Sequence, residues 1–323
     1  MRKIAFIFPG QGSQYIGMGK SIYENFIPSR DIYDLAQDVL EWDVKGLCFE
    51  NTGDKINLTE YTQPAILVTS ISILQVLLSE GITPGVVAGH SLGEYSALVA
   101  AEGAGFSEML HVVQKRAKFM QDAVPEGTGM MAALLGLSKE LVIEICTTAS
   151  VYGTVTPANY NAPEQIVIAG IAGAVNKAME LAREKGAKRV IPLNVSVPSH
   201  TSLMATPSEG LSVVLDGVEF KDLKIPLITN VDANIVNSAF DVKDALVRQL
   251  TNSVQWNESM SLLIKKGFNT FVEVGPGRVL SGLQKRIARE LGSEIDILNI
   301  EDMDSLDKTM GILNGTKGIK GNA

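Results

Sequence analysis

The chain has 323 residues, 46% hydrophobic and 20% charged, with 28 lysines and arginines against 36 aspartates and glutamates, for a formal net charge of −8. That length buries a substantial core, enough for one large domain with a smaller insertion or two modest domains, and the acidic balance speaks against nucleic acid as a partner, since phosphate binding needs clustered positive charge. No apolar run approaches the roughly 20 residues that cross a bilayer, and the apolar start after Met1 is too short for a secretory signal. Cys48 and Cys146 stand far apart without metal-ligand spacing, and read as two buried free thiols of a cytoplasmic protein.

Taken in chain order, Ile4-Ala5-Phe6-Ile7-Phe8 reads as a first core strand, followed by Pro9-Gly10-Gln11-Gly12-Ser13, a loop whose glycines let backbone amides approach a ligand. A long helical pattern covers 62–80 and stops at Gly81 and Pro84. Next comes the apolar run Gly85-Val86-Val87-Ala88, then Gly89-His90-Ser91-Leu92-Gly93, then the alanine-rich run from Ser96 to Ala101. The order is strand, tight turn, helix, with Ser91 at the apex. A nucleophile on so sharp a turn holds strained dihedrals, and a side chain at either flanking glycine collides with the neighbouring strand and helix. The turn lifts the hydroxyl clear of the backbone and aims the free amides of a helix N-terminus at an oxyanion formed in acyl transfer.

A helical pattern over 107–122 follows, with Met109, Val113, Arg116 and Met120 at spacings of four, three and four. That places Arg116 on the apolar stripe, while Lys115 and Lys118 project elsewhere. An inward guanidinium is costly unless an anion meets it. From spacing alone, a substrate carboxylate stands level with an internal ion pair or a snorkelling arginine at the edge of the stripe. Over 126–194 the rhythm changes to strand 130–135, helix 138–149, strands 154–158 and 165–169, helix 172–185 and strand 189–193. This βαββαβ order predicts a ferredoxin-like lid inserted into an α/β core, with Gly127-Thr128-Gly129 as a hinge. After His200 the chain returns to helices and short strands, including 271–274 closed by Gly275-Pro276-Gly277, and 311–323 reads as a frayed tail.

A serine nucleophile needs a base of near-neutral pKa, and the chain has only three histidines. His90 adjoins Ser91 and leaves the turn in another direction. His111 reads as a partly buried helix histidine. His200 ends the extended stretch Val195-Ser196-Val197-Pro198-Ser199 at a strand-end loop, where catalytic groups usually project. No acidic residue between Ser91 and His200 stands in a recognisable setting, which leaves a backbone carbonyl as the alternative orienting group.

Five motifs in order, Pro9-Gly10-Gln11-Gly12-Ser13-Gln14, Gly89-His90-Ser91-Leu92-Gly93-Glu94-Tyr95-Ser96-Ala97-Leu98, Arg116, Val195-Ser196-Val197-Pro198-Ser199-His200 and Val272-Glu273-Val274-Gly275-Pro276-Gly277, closely resemble malonyl-CoA:acyl carrier protein transacylases. The resemblance runs from the first strand to about Arg289. It implies a hydrolase-like α/β core with a parallel sheet, built from 1–126 and 199–323, around a small ferredoxin-like domain at 127–198. It implies Ser91 as nucleophile, His200 as base, the amides of Gln11 and Leu92 as oxyanion hole, Arg116 on the free carboxylate of a malonyl group, and a backbone carbonyl near Gln249 orienting His200. The substrates implied are coenzyme A thioesters and an acyl carrier protein bearing phosphopantetheine, without metal or redox cofactor, in a monomeric enzyme supplying fatty acid or polyketide synthesis. An acidic carrier calls for a basic docking face, for which Lys285 with Arg286 and Lys188 with Arg189 are candidates. Two positions depart from the family pattern: Ser253 stands for a usual proline and Glu164 for a common glycine. The rival readings are an acyl hydrolase of the same fold, against which Arg116 speaks, and a non-catalytic carrier-docking protein, against which the intact set of Ser91, His200, Gln11 and Arg116 speaks.

Overall fold

The computed structural model describes residues 2–125, 127–193, 195 and 197–315. Its larger sheet has six strands in the order β10 (Asp296–Ile300), β9 (Thr270–Val274), β1 (Ile4–Phe8), β2 (Val86–Gly89), β7 (Leu227–Ile228) and β8 (Ile235–Val236). All pairings are parallel except β7 with β8. The central strands, IAFIF, VVAG and TFVEV, are almost continuously apolar because both sheet faces are covered. β1 lies between β2 and β9, so the loops leaving the carboxyl ends of all three, which begin at Pro9, His90 and Gly275, emerge side by side. In open α/β sheets this is where ligands bind.

The helix Thr59–Ser79 starts three residues before the position expected and packs against Ile27–Leu40 and Phe106–Asp122. It corrects the statement that no apolar run reaches membrane-spanning length. Its 21 residues suffice by length and hydropathy, yet 83% of its most apolar window is buried among its neighbours, as befits a core helix. Cys48 and Cys146 are free and buried as expected.

The second sheet is antiparallel, in the order β4 (Val155–Ala162), β5 (Gln165–Ile171), β3 (Gly129–Leu135) and β6 (Arg189–Pro192). With the helices Lys139–Ala149 and Ala172–Glu184 it forms the βαββαβ unit read from the sequence. Alternation along β3 divides its faces. Ala132 and Leu134 pack with Ile166 and Ile168 under the two helices, whereas Met131 and Ala133 join Val167 and Leu193 on the opposite face, toward the larger sheet. The division of the chain at 126/127 and 198/199 runs between these two sheets, with Glu126 itself, like Asn194 and Ser196, outside the described residues.

The departures at Ser253 and Glu164 have local explanations. The segment around Ser253 stitches the domains together: Ser253 Oγ donates to the carbonyl of Pro157 at 2.6 Å, and Val254 pairs with Ala158 and Tyr160 through two backbone hydrogen bonds of 2.9 Å. A proline would lack that hydroxyl. Glu164 sits in the Pro163-Glu164 turn between β4 and β5 at φ 53°, a backbone region that glycine occupies without penalty. At the C-terminus the helix Met303–Leu313 takes up the first residues of the stretch expected to fray, and 316–323 lie outside the described residues.

Candidate active site

β2 runs directly into the turn that carries Ser91, whose φ of 51° places it in the left-handed region at a cost of about 1–3 kcal/mol. Both flanking glycines are required by close approach: a Cβ on Gly89 would stand 1.8 Å from the carbonyl oxygen of Gly93, and one on Gly93 would stand 2.1 Å from that of Phe8. Two side chains hold the strained peptide. The Ser91 N–H donates to Asn230 Oδ1 at 2.7 Å, and the Ser91 carbonyl accepts from Gln249 Nε2 at 3.0 Å. Asn230 Nδ2 also donates to the carbonyl of Gly89 at 2.6 Å. The helix Gly93–Ala100 begins at this point, so its N-terminus lies against the hydroxyl. The backbone N–H groups of Leu92 and Gln11 have no acceptor among the described residues, and both residues line the same cleft as Ser91.

His200 Nε2 lies 2.9 Å from Ser91 Oγ, and its Nδ1 lies 2.8 Å from the backbone carbonyl of Gln249. A carbonyl only accepts, so the proton sits on Nδ1 and the Nε2 lone pair faces the hydroxyl. The orienting group is thus the backbone carbonyl left open by the sequence. Burial, with a smaller push from Arg116, holds the His200 pKa down to about 3, and the ring stays neutral. His90 turns away: its Nε2 lies 2.7 Å from Asn161 Oδ1, and its ring packs 5.4 Å from Trp256. His111 is exposed rather than partly buried, since it falls between the buried positions Leu110 and Val112 on the outer face of its helix.

Arg116 is completely buried on the stripe formed with Met109, Val113 and Met120. Its Nη1 donates to Gln63 Oε1 at 2.6 Å, and its Nη2 donates to Gln249 Oε1 at 3.0 Å and Ser91 Oγ at 3.2 Å. The guanidinium lies 5.3 Å from the centre of the Tyr95 ring, and its Nε has no hydrogen-bond partner among the described residues. It neither snorkels to solvent nor makes an ion pair with a carboxylate among the described residues. A buried cation satisfied only by neutral groups, with a donor to spare and one nitrogen on the serine hydroxyl, is arranged to receive an anion.

Four residues of this site escaped sequence reading. Gln63 reaches in from Thr59–Ser79 and also donates to Gln11 Oε1 at 3.3 Å, joining Arg116 to the loop after β1. Asn230 comes from the turn between β7 and β8, and Asn161 from β4. Glu94 is fully buried beneath the turn, and burial pushes its pKa up to about 7 against the opposing pull of Gln249, Asn230 and Arg116. The cleft above these groups measures about 440 Å3. Its floor holds Ser91, His200 and Gln11, and its far wall is the apolar face of Met131, Ala133 and Val167 on the smaller sheet.

The candidate docking residues lie apart from this cluster. Lys285 and Arg286 are exposed on the helix Val279–Glu290. Lys188 pairs with Glu164 at 3.0 Å, and Arg189 opens the exposed edge strand β6.

The acyl transferase domain family matches residues 5–305. A malonyl CoA-acyl carrier protein transacylase of Bacillus subtilis is 47% identical over 292 residues, 90% of this chain and 92% of that protein. The chain belongs to the malonyl-CoA:acyl carrier protein transacylase family. Among solved structures, the transacylase of Clostridium perfringens superposes with a TM-score of 0.93 at 39% identity, covering 98% of both chains. A malonyl-transacylase in complex with its holo type II PKS acyl carrier protein superposes with a TM-score of 0.92 at 41% identity, covering 97% of this chain and 99% of that one. The transacylase fold therefore accounts for both sheets described above and for the cleft between them.

Proposed function

We propose that this chain transfers a malonyl group from coenzyme A to the phosphopantetheine thiol of an acyl carrier protein, by way of a malonyl ester on Ser91. The observation that carries this reading is the buried Arg116, without a carboxylate partner among the described residues, with its Nη2 3.2 Å from Ser91 Oγ. A dicarboxylic acyl group offers that guanidinium its missing anion while its thioester carbon meets the serine. A neutral acyl group leaves the charge unpaired.

In the first step Ser91 Oγ attacks the thioester carbon as its proton passes to His200 Nε2. The negative charge moves to the carbonyl oxygen, where the amides of Gln11 and Leu92 are free to receive it. The C–S bond then breaks and His200 returns the proton to the departing coenzyme A thiolate. In the second step the carrier thiol gives its proton to His200, its sulfur attacks the ester, and the proton returns to Ser91 Oγ as the C–O bond breaks. The low proton affinity of the buried imidazole keeps it neutral at rest and makes its proton easy to surrender to the leaving group. The sequence balances without a metal or redox cofactor, and we include in the proposal a monomeric enzyme of the cytoplasm that serves fatty acid or polyketide assembly. The paired carrier protein of the homologous complex supports the acceptor.

The test is a two-stage mass measurement. Brief exposure to malonyl-CoA should add one malonyl group to the protein and none to Ser91→Ala. Addition of holo carrier protein should then move the group onto the carrier. Loss of the adduct to water, with the carrier unmodified, would make the chain the hydrolase of the same fold.

A further inference from the structure

Ser91 is held in its strained conformation by groups that are remote in sequence, Asn230 and Gln249, and both converge on one carboxylate. Glu94 follows Ser91 by three residues, close to one helical turn, and points back beneath the elbow. Its Oε1 accepts from the backbone N–H of Asn230 at 3.3 Å and its Oε2 accepts from Gln249 Nε2 at 2.5 Å. We propose that Glu94 is a positioning residue for the acyl transfer, fixing the backbone of Asn230, whose side chain accepts from the Ser91 N–H, and the carboxamide of Gln249, which donates to the Ser91 carbonyl and orients Arg116. The inference rests on the transferase reading above.

Donor and acceptor counting makes the case. Arginine only donates and a backbone carbonyl only accepts, so Gln249 must turn Oε1 to Arg116 and Nε2 to the Ser91 carbonyl. The second hydrogen on Nε2 then needs an acceptor, and Glu94 Oε2 supplies it. A carboxylate is the one side chain of this length that offers acceptors to both Gln249 and Asn230 without presenting a donor. Burying an acid without an ion pair is costly, and an apolar residue would fill the space at lower cost. The acid instead ties three parts of the chain to one point: the elbow, the turn between β7 and β8, and the C-terminus of the helix Ala239–Gln249, whose last carbonyl holds His200.

Glu94→Gln keeps the shape and removes one acceptor. Its amide nitrogen must face either the Asn230 N–H or Gln249 Nε2. Relief by rotating the Gln249 carboxamide sets an NH2 group against Arg116. The experiment offers equal malonyl-CoA and acetyl-CoA to wild type, Glu94→Gln, Gln249→Ala and the double variant, and reads both adducts by intact mass against time. Glu94→Gln should slow malonylation by about tenfold to a hundredfold, the range for a buried hydrogen bond left unmade. It should also lower the malonyl-to-acetyl ratio by about tenfold, because Arg116 matters only to the dicarboxylic group. In the Gln249→Ala background the same substitution should change that ratio less than about twofold, since the two act through one contact. Glu94→Asp, which withdraws both acceptor oxygens by one methylene, gives the same loss and serves where Glu94→Gln does not fold. Wild-type rate and ratio in Glu94→Gln, or a ratio effect that adds in full to Gln249→Ala, would overturn the inference while leaving the transferase standing. A wild type that takes up no malonyl group would defeat both.

Discussion

Two turns hold a non-glycine residue in nearly the same left-handed backbone, Ser91 at φ 51° and Glu164 at φ 53°, and they are secured in very different ways. The Ser91 peptide is tied at both ends by Asn230 and Gln249, wedged between glycines that admit no Cβ, and backed by the buried Glu94. Glu164 is secured by its carbonyl, which accepts from the Gly136 N–H at 2.8 Å, and by an ion pair with Lys188 whose side chains are both largely exposed. Equal strain is thus over-determined at one turn and lightly held at the other. Strain that the surroundings enforce from several directions has a use, and here it lifts Ser91 Oγ to His200. Strain on an exposed hairpin is a local cost that the fold tolerates.

The largest loss is expected at Gly93, inside the tightly held turn. Gly93→Ala places a Cβ 2.1 Å from the Phe8 carbonyl, so backbone must move where the hydroxyl is aimed. Malonylation should fall by at least about a hundredfold, the consequence of misplacing a reacting group by about 1 Å. A variant that acylates at the wild-type rate would show that the elbow is not tightly fixed.

Arg116→Ala removes the charge together with a large, fully buried side chain. Truncating one partner of a buried charged contact costs about 2–5 kcal/mol, so malonylation should drop by about thirtyfold to several thousandfold, with acetylation much less affected.

His200 is also left-handed, at φ 62°, and its burial is readable in pH. Its pKa is lowered by burial from 6.5 to about 3, so the neutral base survives as pH falls past the ordinary histidine range. The acid limb of kcat/KM for malonyl-CoA should therefore lie below about pH 5. The stability that the neutral ring contributes is present above 6.5 and lost as pH falls toward 3. A limb near 6.5 would place His200 in solvent in the working enzyme.

The smallest effect is expected at the lightly held turn. Glu164→Gly relieves the left-handed side chain, worth about 1–2 kcal/mol, and gives up a surface ion pair worth about 0–1 kcal/mol. Denaturant unfolding should show a gain of no more than about 2 kcal/mol with the acylation rate unchanged. A loss of activity would mean that this hairpin, too, serves the cleft.

The parts of the site legible in sequence are those with local signatures. Ser91 is marked by glycines whose necessity is steric, Arg116 by its place on an apolar stripe, and His200 by elimination among three histidines. The smaller domain was legible because its strands and helices alternate at short range. Asn230, Gln63 and Asn161 carry no such mark, because they act only through contacts that span 52 or more residues. Glu94 lies inside a recognised motif, yet a glutamate in a first helical turn ordinarily sits at the surface, facing the helix dipole. Only the hydrogen bonds it accepts from Gln249 and Asn230 reveal a buried acid. His111 reads as partly buried in the sequence, and it is exposed because the helical period directs its ring outward between the buried Leu110 and Val112.

The most direct test is a competition in which wild type and Arg116→Ala each meet an equimolar mixture of malonyl-CoA and acetyl-CoA, with the adduct on Ser91 identified by intact mass. Wild type should carry malonyl almost alone and Arg116→Ala should shift decisively toward acetyl. An unchanged ratio between the two proteins would contradict the assignment of Arg116 as the group that selects the dicarboxylic acyl chain.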